Sequence, residues 1–145
     1  MGWRIGLISD THGLLRPEAL KFLRGADHII HAGDIGGPEL LQELKKLGPV
    51  TAVRGNNDTG RWAPLTANLS FDRVTIHVLY DLADLRARAR VVVSGHSHKP
   101  KVEEREGVLY VNPGSAGPRR FTLPVAAAEL RISGSSVRAR IKELL

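Results

Sequence analysis

Short apolar runs alternate with amphipathic segments through the first two thirds of the chain. Residues 4–8 and 91–94 form continuous apolar runs, which are typical of strands buried on both faces. Residues 38–47 place their leucines on one face of a helix, which Gly48-Pro49 ends. The same patterns predict further strands over residues 28–32, 50–53 and 74–80, and further helices over residues 18–24 and 82–90.

The last third of the chain has the patterns of antiparallel strands. Residues 102–106 and 108–111 flank a Glu106-Gly107 turn and predict one hairpin. Residues 125–132 and 137–141, on either side of Gly134, predict a second hairpin. Helices early in the chain and antiparallel strands late in it favour an α/β fold, with two mixed β-sheets packed face to face and helices outside.

Size and composition narrow the class of protein. A chain of 145 residues has the length of one domain, so we predict a single domain over residues 1–145. Cysteine is absent, which excludes thiol chemistry, cysteine-ligated zinc and iron–sulfur clusters. No apolar run approaches the ~20 residues of a membrane span, and no signal peptide is evident. We therefore predict a soluble, cytoplasmic protein with no membrane partner.

The chain is basic, with a formal net charge of +6, and this charge predicts an affinity for anions. The basic residues are scattered in small clusters, and aromatic residues make up only 5% of the chain. Both features disfavour a dedicated nucleic-acid surface, so nucleic-acid binding is the least favoured function.

Four of the predicted buried strands end in glycine-containing loops that carry Asp, Asn or His. Ligands of α/β proteins bind beyond the carboxyl ends of the strands, and parallel neighbouring strands bring such loops together. In chain order the loops contain Asp10 and His12, Asp34, Asn56, and His96 with His98.

These side chains offer carboxylate, amide and imidazole donors without a thiolate. That donor set suits Mn²⁺, Fe²⁺, Zn²⁺ or Ni²⁺ better than Ca²⁺ or Cu⁺. Asp34 stands alone in its loop and is the candidate for a carboxylate that bridges two cations. Taken singly, Asp-x-His and Gly-Asp motifs are more often ordinary turn chemistry. The four motifs together, each at a strand end, favour a metal site.

The series of motifs resembles that of the calcineurin-like metallophosphoesterase superfamily. The motif Asn112-Pro113-Gly114-Ser115 narrows the resemblance to small phosphodiesterases of the YfcE type, and the retromer small subunit is similar as well. The resemblance covers nearly the whole chain and implies an αββα four-layer sandwich with a dinuclear metal centre. It implies that the first metal is held by Asp10, His12 and His98, that Asp34 bridges, and that the second metal is held by Asn56 and His96.

The sequence departs from the family pattern at Tyr80. The family places a histidine there as the remaining ligand of the second metal, and a neutral phenol is a poor ligand unless the metal deprotonates it. His77 falls on the opposite strand face, whereas Asp81 is adjacent. We therefore expect a second site that is weakened and partly occupied. Only about ten residues separate Asp81 from the next strand, fewer than is usual in the family, which predicts a shorter rim of the active site on that side.

The resemblance implies hydrolysis of a small phosphodiester by a metal-bound hydroxide. Two divalent transition metals are expected, with Mn²⁺ the most favoured. The catalytic candidates are Asp34, Asn56 and Asn57. Asn57 stands where relatives carry a histidine that protonates the leaving group, and an amide cannot act as that acid. Arg119 and Arg120 are candidates for contacts with the substrate phosphate.

A non-enzymatic binding or scaffold module is the alternative function. The retromer small subunit resembles this fold, serves mainly as a scaffold and has also lost a histidine from its site. Retention of both His96 and His98 favours the enzyme. The sequence leaves open the physiological substrate, the metal and the oligomeric state, a homo-oligomer included.

Overall fold

The strands form two five-stranded sheets in the residues that the structure, a computed structural model, describes (2–145). In chain order the strands are β1 (Trp3–Ile8), β2 (His28–His31), β3 (Val50–Ala52), β4 (Thr66–Phe71), β5 (Val74–Leu79), β6 (Val91–Val93), β7 (Lys101–Arg105), β8 (Val108–Asn112), β9 (Ala126–Ser133) and β10 (Ser136–Glu143). The first sheet has the order β10-β9-β1-β2-β3, and the second has the order β4-β5-β6-β8-β7.

Each sheet contains three neighbouring parallel strands. These are β1, β2 and β3 in the first sheet, and β5, β6 and β8 in the second. Strands β9, β4 and β7 pair antiparallel with β1, β5 and β8. The parallel strands are short and apolar, as expected where both faces of a sheet are covered. The polar loops that follow them are therefore the places where this chain concentrates chemical groups.

Two α-helices, α1 (Pro17–Leu23) and α2 (Pro38–Lys45), connect the parallel strands of the first sheet. Each begins with proline in its first turn, where the missing N–H removes no helical hydrogen bond. Neither α-helix of residues 2–145 combines the length and the apolar character that crossing a membrane would require. The helices bury Ala19 and Leu23 from α1, and Leu40, Leu41 and Leu44 from α2.

The main core lies between the two sheets. Alternate residues of each strand face it, because successive side chains of a strand point to opposite faces. This close-packed layer holds the two sheets, and so the loops at their ends, in a fixed relation. Its members include Ile5, Leu7, Ile30, Ile76, Val78, Val93 and Leu130, all at most 1% exposed.

The predicted α/β fold of two mixed sheets packed face to face is confirmed. The helix predicted over residues 82–90 is wrong, because this segment forms a single 3₁₀ turn, Leu82–Asp84. The segment joins the parallel strands β5 and β6 and is close to the minimum length of such a crossover, so most of it has to span the distance without coiling. Within residues 2–145, the outer layer on the second sheet thus contains no α-helix.

Strand β4 is not among the predicted elements, although its sequence has the right pattern. Ala67, Leu69 and Phe71 alternate with polar residues, and all three pack against the main core. The strand pairs with β5 over its whole length. It protects the edge of β5 that would otherwise be unpaired.

Candidate metal centre

The polar residues predicted at the strand ends meet at one edge of the sandwich. Asp10 and His12 follow β1, Asp34 follows β2, and His96 and His98 follow β6 of the other sheet. All five residues have a positive φ, between 49° and 73°. That left-handed conformation costs a non-glycine residue roughly 1–2 kcal/mol, and it persists only where the surrounding structure enforces it. Backbone strain is therefore concentrated at the residues predicted as metal ligands.

Asp10, His12 and His98 form a compact cluster, which we call the first half-site. One nitrogen or oxygen atom of each lies within 4.8 Å of the corresponding atoms of the other two. His98 Nε2 is 3.3 Å from Asp10 Oδ1, and His12 Nε2 is 4.0 Å from the same oxygen. The two imidazole rings stack with their centroids 5.7 Å apart. The structure thus brings together the three side chains predicted for the first metal.

Two buried imidazole nitrogens of the first half-site have no hydrogen-bond partner. They are His12 Nε2 and His98 Nδ1, the only buried side-chain polar atoms of residues 2–145 in this situation. A buried polar atom without a partner costs about 1–3 kcal/mol. Burial lowers the pKa of His98 and so favours neutral imidazole, the form that binds metals. A carboxylate and two such imidazoles fit a divalent ion such as Mn²⁺ or Zn²⁺.

Asp10 is completely buried and is oriented by two hydrogen bonds to one of its oxygens. Ser9 Oγ donates to Asp10 Oδ2 at 2.7 Å, and the backbone N–H of His96 donates to the same oxygen at 3.2 Å. A side chain at Gly95 would collide with both Ser9 Oγ and this carboxylate, so the close approach requires glycine. Burial raises the pKa of Asp10, while the hydrogen bond from Ser9 opposes the shift. A nearby cation would favour the charged carboxylate.

Asp34, Asn56 and His96, which we call the second half-site, lie in loops around Tyr80. The Tyr80 hydroxyl donates to Asp34 Oδ2 at 2.6 Å and is 3.3 Å from Asp10 Oδ1. It is also 3.3 Å from His96 Nδ1, and the two rings meet edge to face. Burial raises the pKa of Tyr80 well above its usual range, and the hydrogen bond to Asp34 adds to this shift. The phenol is therefore neutral.

Asn57 and the two remaining residues of the second half-site have different surroundings. Asn57, a catalytic candidate, donates its backbone N–H to Asp34 Oδ1 at 2.9 Å and its side-chain N–H to Asp34 Oδ2 at 3.1 Å. Asn56 is exposed at the rim. The His96 side chain is 48% exposed, and its Nε2 is 3.9 Å from Asp81 Oδ2. Asn57 thus supports Asp34, while the other two face solvent.

The two side chains considered as substitutes for the missing histidine serve other purposes. His77 Nδ1 is 2.8 Å from Asn68 Oδ1 on the neighbouring strand, away from the site. Asp81 caps the 3₁₀ turn by accepting a hydrogen bond from the backbone N–H of Ala83 at 3.0 Å. Neither belongs to the cluster of candidate ligands in the residues described.

His31 and Asp58 brace the site loops, although neither was among the predicted site residues. His31 is completely buried, its Nδ1 accepts from the Gly33 N–H at 3.1 Å, and its Nε2 is 2.9 Å from Thr11 Oγ1. Burial lowers the pKa of His31 to about 3. The position of His31 in a short apolar strand is the sequence feature that indicates a structural histidine. The Asp58 carboxylate accepts backbone hydrogen bonds from Ile35, Gly36 and Gly55.

A cavity of about 300 Å³ opens beside His96. Its lining combines apolar groups of Tyr110 and Leu82 with side chains of both charges, which include Lys99, Lys101, Asp81 and Glu103. Such a mixture of apolar walls and a few charges is typical of small-molecule sites.

Arg119 and Arg120, the predicted phosphate contacts, are exposed in the loop that follows Gly117. The positive charge of Arg120 contributes, after burial, to the lowered pKa of His98. Arg120 is therefore close enough to the first half-site to influence its electrostatics, and phosphate binding by either arginine stays a prediction.

Comparison with known sequences identifies relatives along nearly the whole chain. The model of the calcineurin-like phosphoesterase superfamily domain matches residues 3–134. A probable metallophosphoesterase of Methanothermobacter thermautotrophicus is 35% identical over an alignment of 156 positions with gaps, which covers 94% of this chain and 90% of that protein. A phosphodiesterase of Methanocaldococcus jannaschii is 27% identical over an alignment of 138 positions with gaps, which covers 77% of this chain and 82% of that protein.

Solved structures show the same fold at low sequence identity. Vacuolar protein sorting 29 (Vps29) of Cryptosporidium parvum superposes with a TM-score of 0.81 at 17% identity, covering 98% of this chain and 97% of that one. The phosphoesterase Yfce of E. coli gives a TM-score of 0.74 at 21% identity, covering 98% and 100%. The Zn²⁺ complex of Vps29 from Entamoeba histolytica gives 0.77 at 20% identity, covering 98% and 99%.

Proposed function

This chain belongs to the calcineurin-like phosphoesterase superfamily, and we propose that it is a metal-dependent phosphodiesterase. Its substrate is a small phosphodiester, and its metal lies at the first half-site. The name of the Methanothermobacter relative supports a metallophosphoesterase in general, and that of the Methanocaldococcus relative supports the diester. A cytoplasmic location stays a prediction.

The observation that carries this proposal is the cluster of two imidazoles around one buried carboxylate: His98 Nε2 lies 3.3 Å from Asp10 Oδ1, and the buried, unpartnered His12 Nε2 lies 4.0 Å from the same oxygen. Water or a neighbouring side chain normally satisfies a buried imidazole. Here no side chain of residues 2–145 satisfies His12 Nε2, although it lies 4.0 Å from Asp10 Oδ1 and 3.7 Å from Asp34 Oδ2. A divalent ion between these groups would satisfy the nitrogen, which supports a metal site at this place.

Asp10, His12 and His98 would hold the ion, with Asp34 beside them, and Mn²⁺ or Zn²⁺ suits these donors. The structure of Vps29 from Entamoeba histolytica is a complex with Zn²⁺, which supports keeping Zn²⁺ beside Mn²⁺ as a candidate ion. A divalent cation polarises a phosphoryl oxygen and lowers the pKa of water toward neutrality.

The chain's own residues orient and bind around that ion. Ser9 and the His96 N–H fix the Asp10 carboxylate, and Asn57 fixes Asp34. Asn57 has no acidic proton to give, so a leaving group with a low pKa, or a proton from solvent, is needed. The second ester group of a diester finds room in the cavity beside His96.

Hydrolysis of bis(p-nitrophenyl) phosphate with added Mn²⁺ tests the proposal, with p-nitrophenyl phosphate as the monoester comparison. We expect the diester to be the better substrate, and Asp10→Asn to reduce kcat/KM on the order of 10³-fold or more. Asp72→Asn is the matched control, since Asp72 also has a positive φ (51°) but lies in an exposed turn. Equal rates for the wild-type protein and Asp10→Asn would contradict the proposal.

A scaffold module is the second candidate, and the hydrogen bond from Tyr80 to Asp34 favours it. A side chain at the place where the family has a ligand can silence catalysis while the fold persists. The likeness to Vps29 concerns the fold alone, at 17% identity. This candidate would be supported over the enzyme if the wild-type protein binds the metal but hydrolyses both esters no faster than Asp10→Asn does.

A further inference from the structure

We propose that the Tyr80 hydroxyl takes the place of the second cation, so that the site binds one divalent ion rather than two. This inference rests on the proposed metal site, and it concerns the number of ions and the residue that sets it. In this proposal Tyr80 and Asn57 hold Asp34, and the second half-site binds no metal.

The position of the hydroxyl is the first step. Its oxygen lies 2.6 Å from Asp34 Oδ2 and 3.3 Å from both Asp10 Oδ1 and His96 Nδ1. These atoms belong to both carboxylates of the site and to one of the two predicted ligands of the second metal. An oxygen atom at hydrogen-bond distance from all three leaves no room for a cation among them.

The hydrogen bonds of Asp34 are the second step. Asp34 Oδ2 accepts from the Tyr80 hydroxyl and from the Asn57 side chain, and Asp34 Oδ1 accepts from the Asn57 backbone. Both oxygens of the predicted bridging carboxylate are therefore satisfied by the chain itself. The first half-site differs, because His12 Nε2 and His98 Nδ1 have no partner.

Charge and space agree with this assignment. The site contains two carboxylates, Asp10 and Asp34, which one divalent ion balances, whereas a second ion would leave an excess of positive charge in a buried place. Gly33 supplies the space that the larger ring needs, since a Cβ there would lie 2.6 Å from Tyr80 Cδ1. Tyr80 itself is only 7% exposed and is packed in place.

The number of bound ions tests the inference without reference to activity. Purified protein is dialysed to equilibrium against Mn²⁺, and the bound metal is measured by elemental analysis. We expect one ion per chain for the wild-type protein and two for Tyr80→His, which restores an imidazole at this position. Tyr80→Phe, which removes the hydroxyl without supplying a ligand for a second ion, should stay at one.

Each outcome has a distinct meaning. Two ions in the wild-type protein would overturn the inference and leave the proposed function standing, whereas no ion would overturn the proposed function. One ion in a folded Tyr80→His would also overturn the assignment to Tyr80. If Tyr80→His fails to fold, the number of ions bound by the wild-type protein and the electron paramagnetic resonance of its bound Mn²⁺ still test the inference. Isolated ions are expected, and a spin-coupled pair would overturn the inference.

Discussion

The two half-sites are built by the same kind of loop, yet their ligand atoms are satisfied in opposite ways. In the first half-site, His12 Nε2 and His98 Nδ1 are buried without a partner. In the second, both oxygens of Asp34 accept hydrogen bonds from Tyr80 and Asn57. The first half-site therefore has ligand atoms free to bind a cation, whereas the Asp34 oxygens of the second already accept hydrogen bonds from the protein.

The backbone does not explain this difference. Asp34 and His96 of the second half-site keep φ values of 54° and 73°, like the 54° of Asp10 in the first. Strain of this kind persists only where the structure enforces it. Both half-sites thus keep the main-chain geometry of ligand loops, and the contrast lies in the hydrogen bonds that Tyr80 and Asn57 donate to Asp34. A second bound ion in Tyr80→His would show that one substitution changes the number of metals without a change of architecture.

The sharpest test of the contrast removes one histidine from each half-site. His98→Ala should weaken Mn²⁺ binding by more than ~100-fold, because loss of even an outer-shell partner costs roughly 10–100-fold. His96→Ala should weaken it less than ~10-fold, since this side chain is outside the unpartnered cluster. Isothermal titration calorimetry with Mn²⁺ measures both. Equal losses in the two variants would show that the half-sites are equivalent.

Much of the site was predictable because its residues follow buried strands. The apolar runs identified β1, β2, β3 and β6, and parallel pairing brings the loops after β1, β2 and β3 to one edge. Strand β6 belongs to the other sheet, so its loop reaches the same edge only through the packing of the two sheets. The replacement of the family's histidine by Tyr80 was also visible in the sequence. The hydrogen bond of its hydroxyl to Asp34 was not, because side-chain contacts across two sheets depend on the packing of the whole core.

Other features depend on structure that sequence periodicity does not encode. The bracing role of His31 combines a local contact with Gly33 and a contact with Thr11, and only the pairing of β1 with β2 brings Thr11 within reach. The crossover over residues 82–90 has the composition of a helix, but it is close to the minimum length of a connection between parallel strands and coils only at Leu82–Asp84. Local preference is thus overruled where tertiary geometry sets the distance to be spanned.

A second test concerns the brace shared by both half-sites. His31 joins the loop of Asp10 to the loop of Asp34 through Thr11 and Gly33. Removing it should leave the buried Gly33 N–H unpaired and take one of two partners from Thr11 Oγ1, so His31→Gln should lower the free energy of unfolding by about 1–3 kcal/mol at neutral pH. Urea unfolding of metal-free protein, followed by tryptophan fluorescence, measures this loss.

The pH dependence of that loss has a definite sign. Burial lowers the pKa of His31 from 6.5 in the unfolded chain to about 3 in the folded protein. The stability that neutral His31 contributes is therefore present above pH ~6.5 and is lost as the pH falls toward ~3. The difference between the wild-type protein and His31→Gln should accordingly shrink between pH ~7 and pH ~5. A difference that stays constant or grows would contradict a buried, neutral His31.

The smallest expected effect tests whether the Mn²⁺ affinity of the first half-site depends on the orientation of Asp10. Ser9 Oγ donates to Asp10 Oδ2 at 2.7 Å, so Ser9→Ala frees one oxygen of a carboxylate that stays buried. We expect Mn²⁺ affinity to fall ~10-fold, at the lower end of outer-shell effects, because the His96 N–H still donates to the same oxygen. Ser97→Ala is the matched control, since its hydroxyl contacts Asn112 and the Lys99 N–H and neither carboxylate. If both variants bind Mn²⁺ as the wild-type protein does, the preference for the first half-site comes from its unpartnered imidazoles alone and not from a pre-oriented Asp10.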